Sequence, residues 1–109
     1  MEVPVTLAAV EEPASPKGSA GYVLHLYITG ATPNSTRAVR NLKEICEHYL
    51  KGRYELLIID IYQQPELAKR DQIVAAPTLI KKWPLPLRRL VGDLSDRGRV
   101  LAGLGIVLP

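Results

Sequence analysis

The sequence predicts an α/β domain made of a βαβ unit, a cis-proline turn, a β-hairpin and a closing helix. Three observations carry that prediction. Residues 22–29, YVLHLYIT, alternate in two sets, and a capped helical pattern follows directly. Residues 54–61 contain the consecutive apolar residues Leu56–Ile59, bounded by polar ones. Residues 73–80, IVAAPTLI, are an apolar run with a proline in the middle.

In the first run Tyr22, Leu24, Leu26 and Ile28 share one face, and Val23, His25, Tyr27 and Thr29 the other, which is a strand with at least one buried face. His25 reads as a partly exposed strand residue, because no second His or Cys stands at metal-site spacing. Gly30 and Ala31 turn the chain, Thr32 is a good N-cap, and Pro33 fits the first helical position, where no N–H is needed. Ala38, Val39, Leu42, Ile45, Cys46 and Tyr49 then recur at helical spacing up to about Leu50, and Gly52 supplies the stop. Cys46 falls on the buried stripe and reads as a small core residue.

The Leu56–Ile59 run suits a central strand covered on both faces, and with the preceding elements it makes a right-handed βαβ unit with parallel strands. Gln63-Gln64-Pro65 opens a short helix, PELAKRDQ. Proline cannot donate to a sheet ladder, so Pro77 argues against a simple strand. A cis Ala76–Pro77 bond keeps both, turning the chain just before a third strand at Thr78–Lys82. Trp83-Pro84-Leu85-Pro86 reads as a rigid connection, and Leu87–Val91 as a fourth, antiparallel strand ending at Gly92. Asp93-Leu94-Ser95-Asp96 is a helix start, leading into Ser95–Leu104 with Val100, Leu101, Leu104 and Leu108 as its apolar stripe. Gly98, Gly103 and Gly105 fall within that pattern, each costing about 0.8–1.0 kcal/mol against alanine in a helix.

With 109 residues, 47% hydrophobic and 23% charged, the chain has the size and composition of one globular domain. Residues 1–20 mix Pro, Ser, Ala, Glu and Gly and read as a disordered extension, leaving 21–109 as the domain. No apolar run approaches the length of a membrane span, the start lacks a basic signal region, and the single cysteine cannot form an internal disulfide. The expectation is a cytoplasmic protein.

No Ser–His–acid set, phosphate loop or metal-spaced cluster is present, so neither an enzyme nor a cofactor is expected. The net charge of +3 is uneven: Glu2, Glu11 and Glu12 against Lys17 give residues 1–20 a charge of −2, leaving +5 on the remainder. Lys81, Lys82, Arg88, Arg89, Arg97 and Arg99 put six basic residues into nineteen positions, and Arg37 and Arg40 lie on the polar face of the first helix. This basic half suits an acidic protein surface; nucleic-acid binding would show itself by a steep salt dependence and is not the expected role.

Residues 65–80 resemble the way thioredoxin-like domains enter their third strand through a cis-proline. There the proline faces the start of the first long helix, where a redox Cys-x-x-Cys sits. Here that place holds Thr32-Pro33-Asn34-Ser35, hydroxyls in place of both sulfurs. The segments GATPNSTRAVRNLKEI, IDIYQQPELAKRDQIVAAPTL and RRLVGDLSDRGRVLAGL resemble the KaiB family over about Tyr22 to Leu104. The resemblance implies a non-catalytic binding module that docks on the ring ATPase KaiC, captures KaiA there and displaces the histidine kinase SasA, whose N-terminal domain is thioredoxin-like. It also implies a metamorphic chain: a resting homo-oligomer, tetramer or dimer, with a βαββααβ arrangement, and a thioredoxin-like monomer that binds. Gly103 and Tyr22 match positions linked to that switch, so Gly103→Ala is expected to favour the helical monomer. Arg37, Arg88 and Arg89, with Lys81 and Lys82 secondary, are the expected partner contacts.

The chain departs from the family pattern in the N-terminal extension, in Gly105 where the family has Asp, in Leu108 where it has Tyr, in the missing acidic tail, and in Gln63-Gln64 and Gln72 where Lys-rich residues are usual. These departures fit a KaiB-like protein working with a KaiC-like ATPase, without KaiA, on clock or stress-signalling output. The alternative is a sensory or peptide-binding domain like that of SasA, without a clock role.

Overall fold

The structure, a computed structural model, describes residues 21–74 and 76–106. The predicted extension over 1–20 and Leu108 lie outside the described residues. Strand β1 (Tyr22–Ile28) leads through Gly30, at φ 59°, into helix α1 (Pro33–Tyr49). Thr32 caps α1, its Oγ1 accepting from the Ser35 N–H at 3.3 Å, and Pro33 occupies the first turn. Strand β2 (Tyr54–Asp60), helix α2 (Pro65–Arg70), strands β3 (Thr78–Trp83) and β4 (Arg88–Val91), and helix α3 (Arg97–Leu104) complete the order.

The four strands form one sheet in the order β2-β1-β3-β4. β1 and β2 are parallel, with Tyr22 opposite Tyr54 and Ile28 opposite Asp60. β3 runs antiparallel to β1, and β4 antiparallel to β3. The Ala76–Pro77, Trp83–Pro84 and Leu85–Pro86 peptides are cis.

Side chains alternate across a strand, so each face of the sheet receives one set. Leu24, Leu26 and Leu79 meet Leu42, Ile45 and Cys46 of α1 and Val100, Leu101 and Leu104 of α3. On the opposite face Tyr27, Ile59 and Ile80 are buried beneath Leu67 of α2 and Ile73. β1 is buried on both faces.

Four expectations need correction. The inner strands of the sheet are β1 and β3, and β2 stands at an edge. Its apolar run reports covered faces, since Leu56 and Ile58 join one cluster and Leu57 and Ile59 the other. Burial of faces says nothing of which strands lie alongside. His25 is 3% exposed, because the side of β1 it occupies is roofed by α2. Helix α3 begins at Arg97, with Asp96 as its N-cap accepting from the Arg99 N–H at 3.1 Å. Gly105 is the left-handed C-cap at φ 77°, so this glycine ends the helix where a β-carbon would be strained. The remaining differences are short shifts: β3 extends to Trp83 and β4 starts at Arg88.

The β4–α3 loop is held by one inward residue. Leu94 sits at φ 63°, a conformation that costs a leucine about 1–2 kcal/mol. It is only 6% exposed, and burying a leucine returns about as much.

Candidate functional site

The end of the sheet where β1 runs into α1 carries no thiol chemistry. Ser35 is fully buried, and its Oγ accepts from the Thr29 N–H at 3.1 Å. Thr32 is spent on the helix cap. Both hydroxyls therefore hold the turn together. Cys46, the single cysteine, is buried on the underside of α1, and burial, aided by the Glu47 charge, pushes its thiol up to about 12. Among the described residues no group of three or more His, Cys, Asp or Glu is placed to hold a metal ion, and no helix is long and apolar enough to cross a membrane.

Arg37, on the exposed side of α1, reaches the β4–α3 loop: its Nε lies 3.2 Å from Asp93 Oδ2, and its guanidinium also donates to Asn34 Oδ1. Asn41 donates to the Asp93 carbonyl at 2.9 Å, and the Ser95 N–H donates to Asp93 Oδ1 at 3.1 Å. The Ser95 and Arg37 donors hold the Asp93 carboxyl below its usual range. Farther along α1, Glu44 faces Arg97 at 3.7 Å. One flank of α1 is thus tied to the C-terminal third.

The basic residues of the hairpin do not form one patch. Strand alternation sends Lys81 and Arg88 to the α1/α3 side, and Lys82 and Arg89 to the α2 side. Lys81 is 4% exposed, and its ammonium comes within 3.8 Å of the position a β-carbon on Gly105 would take. That places a cation at the C-terminal end of α3, where the helix carbonyls favour it. Burial, with Arg88 opposite, lowers its pKa. Arg88 itself is exposed and, among the described residues, has no hydrogen-bonded or ion-pair partner.

On the α2 side Asp71 is a hub. Its carboxylate accepts from Tyr27 OH and from Lys82 Nζ at 3.1 Å, with Arg70 Nε at 3.8 Å. Burial works to raise the Asp71 pKa, but the Tyr27 and Lys82 hydrogen bonds and the nearby cations hold it below the usual value. Arg89 closes the cluster from β4, donating to the Asp71 carbonyl at 2.9 Å and to the Gln72 carbonyl at 3.3 Å. His25 lies beside this cluster with its Nδ1 unpartnered among the described residues. Burial, then the Lys82 charge, lowers its pKa to about 4.

Of the sequence-derived positions, Arg37, Arg88 and Arg89 are therefore exposed, Arg37 and Arg89 being also hydrogen-bonded within the fold, while Lys81 is buried and Lys82 half-buried. Tyr22 is half-buried against the main core, and Gly103 lies against Leu90 of β4. Pro77 accepts from the Gly92 N–H at 3.0 Å, joining the turn to the end of β4. Sequence reasoning missed Asp71 and Leu90. The local signals were present only in part: Asp71 directly follows the basic end of a helix, and Leu90 is the apolar member of RRLV.

A family model described as the KaiB domain matches residues 25–106. The circadian clock oscillator protein KaiB of Prochlorococcus marinus subsp. pastoris is 55% identical over 86 residues, covering 79% of this chain and 80% of the relative. That of Synechococcus elongatus is 52% identical, covering 79% and 84%. Among solved structures, the N-terminal domain of Synechococcus elongatus SasA superposes with a TM-score of 0.65 at 25% identity, covering 87% of this chain and 94% of that domain. Mitochondrial thioredoxin 3 of Saccharomyces cerevisiae superposes with a TM-score of 0.64 at 14% identity, covering 79% and 78%, which establishes the thioredoxin-like fold.

Proposed function

The chain belongs to the KaiB family, and from that premise we propose that it is a non-catalytic clock module that docks on a KaiC-like ring ATPase. The observation that carries this reading is the pairing of a thioredoxin-like fold with Thr32 and Ser35 at the start of α1, both engaged in holding that turn. A fold of this kind without a thiolate has surface shape to offer and no redox step. Its likeness to the SasA N-terminal domain suggests that the two compete for one site on the ring. KaiA or a histidine kinase is the proposed further partner, clock or stress-signalling output the proposed target, and the cytoplasm the proposed location.

Arg37, Arg88 and Arg89 are the proposed contacts with the ring, with Lys81 and Lys82 secondary. Tyr22 and Gly103 are the proposed switch positions, with a resting homo-oligomer in which the C-terminal third is arranged differently. The test is titration of the purified chain against its native KaiC-like hexamer by calorimetry at two salt concentrations. Stoichiometric binding that weakens with salt is expected, and displacement by the SasA N-terminal domain places both on one site. No binding to the ring, or acceleration of insulin reduction by dithiothreitol, rejects the reading in favour of a sensory or redox domain.

A further inference from the structure

The exposed side of α1 is divided between two groups of opposite charge. Thr36, Arg40, Lys43 and Glu47 recur at steps of four, three and four, so they form one stripe, with Glu44 beside it. All five are exposed. Their order runs against the helix dipole, which favours acids in the first turn and bases in the last. The first turn of α1 holds no acid, and Glu47 stands in its last turn beside His48. Arg40 and Glu44, like Lys43 and Glu47, are four apart with the base first, the weaker orientation of such pairs. Neither pair closes: among the described residues Arg40 and Lys43 have no ion-pair partner. Glu44 has a 3.7 Å contact with Arg97, and Glu47 accepts from the neutral Tyr54 hydroxyl. The same stripe walls an open groove whose mainly apolar lining includes Ile28, Ala31 and Val39.

We infer that this face takes α1 of a second copy of the chain, packed antiparallel. The charges are self-complementary about a two-fold axis between Lys43 and Glu44, as an isologous contact requires. Arg40 of each copy then falls opposite Glu47 of the other, and Lys43 opposite Glu44. The alternatives are penalised by the same residues. A parallel pair in register sets Arg40 against Arg40 and Glu47 against Glu47. Sliding one copy by four residues sets Arg40 against Lys43 in one direction and Glu44 against Glu47 in the other. Antiparallel packing also brings each Arg40 towards the carbonyl end of the facing helix, where the dipole favours a cation. In this register His48 of the second copy falls opposite Val39, on the wall of the apolar groove. The paired stretch, Val39 to His48, is about 14 Å long at the helical rise per residue. So short a contact makes a weak, reversible dimer.

The inference concerns the thioredoxin-like form and does not rest on ring docking, so the full chain is tested alone, with no ATPase present. Sedimentation equilibrium up to about 1 mM protein should show a monomer–dimer equilibrium that weakens with salt. Residues 97–104 should keep helical NMR shifts throughout. Arg40→Glu with Lys43→Glu breaks no hydrogen bond or ion pair of the described residues, and it should weaken association about tenfold or more. Glu44→Lys with Glu47→Lys should do the same, and an equimolar mixture of the two variants should dimerise again. The register is read with a nitroxide at Thr36→Cys in an isotopically silent copy, Cys46 remaining unlabelled because it is buried. Amides from His48 to Lys51 of the observed copy should broaden, and those around Thr36 should not. A monomer at every concentration, a dimer indifferent to the charge reversals, a mixture that stays monomeric, or broadening around Thr36 overturns the inference. So does an oligomer in which residues 97–104 lose their helical shifts, since that is the rearranged resting form.

Discussion

Gly103 faces Leu90 with no space for a side chain between them: a β-carbon on Gly103 would stand 2.8 Å from Leu90 Cδ1 and 3.2 Å from its Cγ. Here α3 rests on β4. Two effects then oppose each other in Gly103→Ala. Helix propensity gains about 1 kcal/mol, and the Leu90 side chain must move to admit the methyl group. The single substitution is expected to stabilise the helical form by less than the propensity alone. Leu90→Val removes both δ carbons, so the pair should show a favourable coupling of about 0.5–3 kcal/mol in a double-mutant cycle by urea unfolding. Strict additivity would mean that Leu90 yields freely.

His25 makes the fold sensitive to mild acid. Its folded pKa of about 4 lies below the ordinary histidine value of 6.5, so the unfolded chain binds the proton first. The stability that depends on neutral His25 is complete above pH 6.5 and is lost as the pH falls towards 4. The full loss amounts to about 3 kcal/mol at 1.36 kcal/mol per pH unit of displacement. Lys82 and Arg70 add to the effect and Asp71 opposes it. Denaturation midpoints measured at intervals from pH 7 to about 4.5, within that window, should fall in the wild type and flatten in His25→Phe. Parallel curves would reject His25 as the cause.

Cys46 should resist modification while the fold is intact. Its thiol is buried and held far above neutral pH, so almost no thiolate exists to react. A bulky thiol reagent is expected to label it only at the rate of unfolding, with a large increase in denaturant. Rapid labelling without denaturant would contradict the buried position.

Charge reversal should separate the two neighbouring arginines. Arg88→Glu removes an exposed charge that has no ion-pair partner among the described residues, so it is expected to weaken docking on a KaiC-like ring with little change in stability. Arg89→Glu strips two carbonyls at the end of α2 of their donor, and a cost of about 1 kcal/mol in stability is expected as well. Calorimetric titration paired with thermal melts distinguishes them. Equal melting and equal affinity in both variants would place the interface elsewhere.

The βαβ unit was legible because its signals are local: alternation in YVLHLYIT, the Thr32-Pro33 cap and the stripe ending at Cys46 and Tyr49. The placement of β2 at the edge was not, since an apolar run reports covered faces and strand order is a long-range property. His25 and Lys81 failed for the same kind of reason. Each is polar in sequence, and only the packing of α2 over one and α3 beside the other makes them buried. The basic cluster of the hairpin looked like one surface, yet alternation divides it between two faces. Gly103 read as a weakness in a helix until its neighbour on β4 was known.

The order β2-β1-β3-β4 leaves β4 with a single strand neighbour, and α3 packs on β4 and, through Val100, Leu101 and Leu104, on the core it shares with β1, β3 and α1. Peeling β4 and α3 away together would cost the β3–β4 ladder, the Arg89 contacts and the burial of Val100, Leu101 and Leu104 against the main core, while every β1–β2 and β1–β3 bond survived. β4 and α3 are therefore the part of the fold expected to open first, divided from the rest at the β3–β4 hairpin. Backbone amides in β1 should exchange with solvent only on global unfolding, whereas those of β4 and α3 have a cheaper, local route to open.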